Sequence, residues 1–495
     1  MTHTPADTPH GTSPPTPAPA SPVSVSPVAS AAAADVADMA GAAEGAAAPG
    51  LARVLGPVGA VLLTLSCITP ASSLFILVPE LFAGQGTGAP LTIVVGIVIS
   101  IAVGACYAEL GTLTPSSGGE YAMVDALLGR FLGWVTFAMT IAMLVVIPPV
   151  IALGMADYLA DLVRVDPQVA GCAVMLVAIA TAVLDIKSNA LVTGAFLILE
   201  LIAAAVVAAL GLTHVHRSPS VLIHPEVHAA TAGQSTFTLG LLVSGLAAAM
   251  FVVNGFGTAS YLAEEIHQPR RNVARTVFWS LFIGAAVIVV PAVAAVLGTG
   301  STRALSTATF SDLVRGWAGD TTATVIDLCV ALAILNAVLV MVLQNARVVY
   351  ASGRDRAWPA PVNRALTRLH PRFGSPWVAT LAISLPGAAL AAFADLSTLY
   401  EATGAILAVV YVLLALAALA ARRGTLRERP AWRMPLWPLA PVVVLASVGY
   451  VLYQQAGRDL AITGGVIVLA ALYYALYLRR HPHDRWQVAA PDDDS

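Results

Sequence analysis

Long apolar stretches separated by short polar connections recur along most of the chain. Twelve of them, at about residues 56–82, 89–113, 132–159, 168–185, 189–212, 237–262, 277–298, 321–346, 376–393, 396–421, 436–454 and 460–478, predict helices. About 20 apolar residues in a helix suffice to cross a bilayer. Residues 1–50 break the pattern. They are Thr, Pro, Ala and Ser with almost no large apolar side chain, so they cannot bury enough surface to fold. They also lack the basic start and apolar stretch of a secretory signal, and a disordered tail is expected.

Composition explains where the apolar surface goes. Hydrophobic residues make up 58% of 495 and charged residues 11%, against roughly 45–50% and 25% in soluble domains. Such an excess implies lipid contact rather than a larger core. Charge then sets the expected orientation. With the tail in the cytoplasm and twelve crossings, 20 of the 25 Lys and Arg fall on the cytoplasmic side and 5 on the other, which is the positive-inside bias. The basic loops are explained by topology, so no nucleic-acid partner is needed. The four cysteines, Cys67, Cys106, Cys172 and Cys329, all fall inside apolar runs and read as small buried hydrophobes. No metal site and no cofactor is expected.

One stretch sits badly in a plain membrane helix. In "FVVNGFGTASYLAEEIHQPRRN", residues 251–272, Gly255 and Gly257 each cost a helix about 1 kcal/mol relative to alanine. An interrupted helix at membrane depth is tolerated where its freed backbone is buried in protein or lines a cavity. Transporters place such breaks at matching positions of two repeats. The first run carries a counterpart, Thr69-Pro70-Ala71-Ser72-Ser73, where Pro70 removes a backbone donor. The two breaks lie five runs apart, which predicts a 5+5 repeat whose halves each begin with a broken helix. Either break alone is equally well explained by close helix packing around small residues.

Three segments resemble the amino acid–polyamine–organocation permeases. They are "YAELGTLTPSSGGEYAMV" (107–124), "NGFGTASYLAEEIHQPRRNVARTV" (254–277) and "RVVYASGRDRAWPAPVNRALTRLHPRFGSPWVA" (347–379). Their order and spacing match the end of helix 2, the helix 6 signature and the loop after helix 8. The resemblance implies an all-α integral membrane protein of leucine-transporter type, with two inverted five-helix repeats and helices 1 and 6 unwound around the substrate. The expected layout is a tail at 1–50, a ten-helix core at 51–421 (repeats about 56–212 and 237–421), helices 11 and 12 within 422–480, and a C-terminal tail at 481–495. The implied activity is secondary transport of an amino acid across the plasma membrane by alternating access, proton-coupled or exchanging, with a proton or sodium as possible partner. A polyamine or amine carrier is the alternative, and a permease-fold sensor or membrane-embedded enzyme is remote. No DDxxD, HExxH or GxSxG pattern supports an enzyme, and no Walker A sequence supports a primary pump.

An amino acid ligand defines the expected site. N–H groups at Ala71, Ser72 and Ser73, at a half-helix N-terminus, would meet its carboxylate, with Thr69 beside them. Carbonyls between Phe251 and Asn254 would meet its ammonium, with Gly255 at the break and Phe256 as a gate. Many relatives carry a larger residue at Gly257; glycine there is expected to leave room and to favour a neutral or bulky substrate. Glu200, mid-run and without a Lys or Arg within a turn, occupies a place similar to a helix 5 lysine of some proton-coupled relatives. Burial favours the uncharged form of a carboxyl, so Glu200 is the candidate proton-coupling group; a protonated, structurally bonded carboxyl is the plainer alternative. Asp327 and Glu401 are expected to be solvated near outer helix ends. Glu109, Glu120, Glu264 and Glu265 are expected to form ion pairs with the arginine-rich loops. His214, His216, His224 and His228 read as exposed imidazoles, and Pro148-Pro149 as a kink.

Overall fold

The computed structural model describes residues 56–114, 118–159, 163–184, 189–229, 233–263, 266–422 and 431–488. The N-terminal tail, Arg53, Lys187, Glu264, Glu265, Arg423, Arg427, Arg429 and the side chain of His228 lie outside the described residues. Helical segments occupy every one of the twelve apolar runs. Among the described residues, eight helices are long and apolar enough to cross a membrane, and Trp377–Phe393 and Leu439–Gln454 are shorter apolar helices. The protein is a helical, multi-pass membrane protein.

The first run is split into α1 (Pro57–Ile68), α2 (Pro70–Ser72), a π-helical turn (Ser73–Leu77) and α3 (Val78–Gln85). It is followed by α4 (Ala89–Leu113), the short α5 (Glu120–Leu128), α6 (Arg130–Leu153), α7 (Met155–Leu159), α8 (Pro167–Leu184) and α9 (Asn189–Thr213). The sixth run is split into α10 (Leu239–Ser244), α11 (Leu246–Val252) and α12 (Thr258–Tyr261). The longest helices follow: α13 (Pro269–Gly298), then α14 (Thr302–Thr307) and α15 (Phe310–Ala318) in a connection, then α16 (Asp320–Arg354). After α17 (Ala360–Leu366) come α18 (Trp377–Phe393), α19 (Leu396–Ala420), α20 (Leu439–Gln454) and α21 (Gly457–Leu476). Helix α13 packs against α4 and α9, while α16 packs against α6, α8, α9 and α18.

Two features go beyond what the apolar pattern predicts. The loop after α9 is not wholly irregular: β1 (Glu226–Ala229) pairs antiparallel with β2 (Gly233–Thr236), with Glu226 opposite Thr236. This hairpin is fastened to the end of the first run, because the Thr87 hydroxyl accepts from the Glu226 N–H at 2.8 Å and donates to its carbonyl at 3.2 Å. The described part of the C-terminal tail, residues 481–488, is folded onto the helices. Trp486 is 2% exposed, with its ring 5.0–5.2 Å from those of Trp134, Phe137 and Tyr121. Its indole N–H donates to Asp125 at 2.8 Å, and Arg130 donates to the carbonyls of Pro482 and Arg485.

Candidate functional site

The first break is a single residue. Thr69 has φ 47° and ψ 62°, a left-handed conformation that a β-branched residue adopts only when its surroundings enforce it. Pro70 follows with no N–H to extend α1. The second break spans residues 253–257, and Gly255 has φ 113°, which favours glycine. A Cβ there would come within 2.8 Å of the Ile68 Cα and 3.0 Å of the Cys67 carbonyl. Gly255 therefore lets the two breaks touch backbone to backbone.

Around this contact lies one cavity of about 730 Å³, its open mouth included. Of the sequence-predicted residues, Thr69, Ser73, Phe251, Asn254, Gly255 and Gly257 line it. Ala71, Ser72, Phe256 and Glu200 are not on its wall. Its polar surface also includes Cys67, hydrogen-bonded to Thr258, together with Gln344 and Asn345 of α16. Leu77, Met143, Leu144, Ile147, Ile151 and Met341 form an apolar wall.

The diproline of α6 belongs to this wall. A proline breaks the bond to the carbonyl four residues earlier, which for Pro148 is that of Leu144. Asn345 supplies the missing donor, its Nδ2 lying 2.8 Å from the Leu144 carbonyl. Membrane helices accept proline where a neighbour restores the bond in this way. Cys67 is likewise more than the buried hydrophobe expected from its run, because it faces the cavity.

Several expected roles are met by different geometry. The N–H groups of the first break are largely engaged: Ser73 donates to the Thr69 carbonyl at 2.9 Å, and Ala71 donates to Glu200. The Phe251 carbonyl already accepts from the Asn254 N–H at 2.9 Å, and the Asn254 side chain accepts from the Tyr411 hydroxyl at 3.0 Å. Phe256 is fully buried, edge-on to Tyr107 at 5.8 Å, rather than covering the cavity. The room expected beside Gly257 is taken by that same tyrosine, whose ring lies 2.6 Å from where a Cβ would be.

Glu200 is 3% exposed. One oxygen takes the Ala71 N–H, and the other has no hydrogen-bond partner among the described residues. Asp327 is not solvated; it is 2% exposed and accepts from Ser311 at 2.7 Å, because α15 covers it. Glu401 is exposed. Glu109 forms the expected ion pair, with both oxygens 2.9 Å from Arg422. Glu120 does not pair with an arginine. It reaches the cavity wall and is bonded by the hydroxyls of Tyr107 and Tyr261.

A multi-pass helical body whose two broken helices meet at one cavity, polar at the breaks and largely apolar elsewhere, has the build of a membrane carrier. Similarity to known proteins places it further: the family model described as "Amino acid permease" matches residues 55–476, and the chain belongs to that family. An uncharacterized transporter of Mycobacterium tuberculosis is 29% identical over 402 residues, covering 80% of this chain and 86% of that protein. A branched-chain amino acid permease of Lactococcus lactis is 24% identical over 82% of this chain and 88% of its own length. The large neutral amino acids transporter small subunit 2 of Mus musculus is 26% identical over 63% and 60%. These relatives set the chain among transporters of amino acids rather than enzymes.

Proposed function

We propose that the protein is a secondary transporter of neutral amino acids with apolar side chains, working by alternating access in the plasma membrane. Twelve crossings, ten of them arranged as two inverted five-helix repeats, make the two broken runs equivalent elements on opposite sides of the substrate. The observation that carries this reading is the contact of the two breaks at Gly255 and Ile68 beside a cavity walled by Leu77, Met143, Ile147, Ile151 and Met341. Polar backbone and side chains at the breaks take the amino and carboxyl groups, and the apolar wall takes an aliphatic side chain. The names of the branched-chain and large-neutral relatives point to the same ligand class.

Uptake of labelled L-leucine into vesicles, challenged with unlabelled competitors, tests this. Isoleucine and methionine should compete and putrescine should not. The amine-carrier alternative draws on the carboxyl of Glu120 in the cavity, and competition by putrescine in place of the aliphatic amino acids would favour it.

Glu200 remains the proposed coupling group on the helix 1 side. Its bond to the Ala71 N–H, one residue beyond Pro70, ties its protonation state to the position of the first break. A lone ionisable group at mid-membrane costs roughly 2.5–3.5 kcal/mol on insertion scales, which argues against an idle residue. Glu200→Gln should still bind and exchange leucine but no longer accumulate it against a gradient. Accumulation at the wild-type level would remove Glu200 from coupling.

A further inference from the structure

One buried carboxyl on the cavity wall has no task in transport as described so far. Glu120 opens α5, in the connection between α4 and α6. It is 3% exposed yet borders the cavity. The Tyr107 hydroxyl donates to its Oε1 at 2.6 Å, and the Tyr261 hydroxyl donates to its Oε2. Among the described residues no cation pairs with it.

The ionisable groups around it are mainly neutral phenols and engaged carboxyls. Helix α4 presents Tyr107 and Cys106, with Glu109 held by Arg422 a turn away. Helix α12 presents Tyr261, and α19 presents Tyr411. On α5 itself, Tyr121 bonds Asp355 and Asp125 accepts from Trp486. Arg130 opens α6 and is bonded to carbonyls of the C-terminal segment. Glu264 and Glu265 lie outside the described residues.

Both tyrosines belong to parts that must separate for the cavity to open past Glu120. The Tyr107 ring fills the space over Gly257 and packs edge-on against Phe256, so it bears on the second break. Tyr261 ends α12, and its ring lies so close to Gly119 that a Cβ there has no room. Glu120 thus ties α4 to the inner half of the broken sixth run.

We propose that Glu120 is a proton-binding residue of the inner gate, holding a proton while closure of α4, α5 and α12 buries it and releasing that proton to water when they part. This deepens, and rests on, the transport reading. A buried carboxyl lacking a cation favours its protonated form. Burial holds this one up at about 7, outweighing the Tyr107 hydrogen bond that favours the charged form. Opening hydrates the group and returns it toward the ordinary carboxylate range. Because the closed state binds the proton more tightly, linkage requires that acid pH favour closure and alkaline pH favour opening. The proton leaves on the side to which the gate opens, and no covalent bond is made or broken.

Two measurements on the purified full chain test this without a substrate, so their failure is separate from failure of the amino acid assignment. Difference infrared spectra of the Glu200→Gln protein should show a protonated-carboxyl component lost as pH rises through about 7, and adding Glu120→Gln should diminish it. Tyr261→Phe removes a donor to the charged form and should move that transition upward, which keeps the test available if the glutamine variant does not fold. Hydrogen exchange at residues 258–261, corrected for its intrinsic pH dependence, should quicken across the same transition in wild type and stay level in Glu120→Gln. A titrating component of the same size with and without Glu120→Gln in that background, or an unmoved transition in Tyr261→Phe, would overturn proton binding at this residue. Exchange that quickens equally in the glutamine variant would overturn its link to the gate.

Discussion

At Gly255 two independent constraints coincide. Its φ of 113° is strained for any residue with a Cβ, and the added atom would strike the backbone of Cys67 and Ile68. Gly255→Ala should therefore cost stability, by about 1–3 kcal/mol for the strained conformation alone, and should also part the two breaks. Paired measurements of thermal stability and leucine binding check it, with both expected to fall; an alanine variant that binds like wild type would show the contact to be dispensable. The break at Gly255 was legible in the sequence because glycine is costly in a helix unless its freedom is used. Glu120 was not legible. A carboxyl beside an arginine-rich loop predicts an ion pair, whereas its actual partners lie 13 and 141 residues away. Only the fold brings two phenols to it. Gly257 failed similarly, because absence of a side chain reads as free space until a distant ring is seen to occupy it.

At the level of elements, apolar length alone located the helices, and Pro70 and the glycines located the breaks. The diproline of α6 carried a further signal, a freed carbonyl that some neighbour must satisfy, but nothing in the sequence singled out Asn345 as the donor. The hairpin β1–β2 was missed because four-residue strands have no distinctive periodicity. Element ends are also joined by charge. Glu109 of α4 is buried, and Arg422, just beyond α19, meets it with two 2.9 Å bonds while the Met434 N–H adds a third at 2.7 Å. Removing one partner of a buried pair leaves the other charge uncompensated, so Arg422→Ala should cost about 3 kcal/mol. Arg422→Lys should recover only part of that, because an ammonium cannot reproduce the two-pronged contact. Melting of the detergent-solubilised variants measures both, and an alanine variant as stable as wild type would show that Glu109 is hydrated rather than dependent on Arg422.

At the scale of the whole molecule, the 20:5 division of positive charge and the even number of apolar runs predict that both chain ends lie in the cytoplasm. Tags at either end should be inaccessible to reagents outside intact cells; one tag reached from outside would remove a crossing from the count. Charge bias acts on every loop at once, whereas the folding of residues 481–488 onto α5 and α6 depends on a few side chains. That fold has a consequence in time. The ribosome makes Tyr121, Trp134 and Phe137 more than 340 residues before Trp486, and a chain emerges N-terminal end first. The aromatic seat for Trp486 therefore stays uncovered until residue 486 has been synthesised. A chain cut short ahead of residue 486 would carry its helices and its cavity yet leave the rings of Tyr121, Trp134 and Phe137 without their cover.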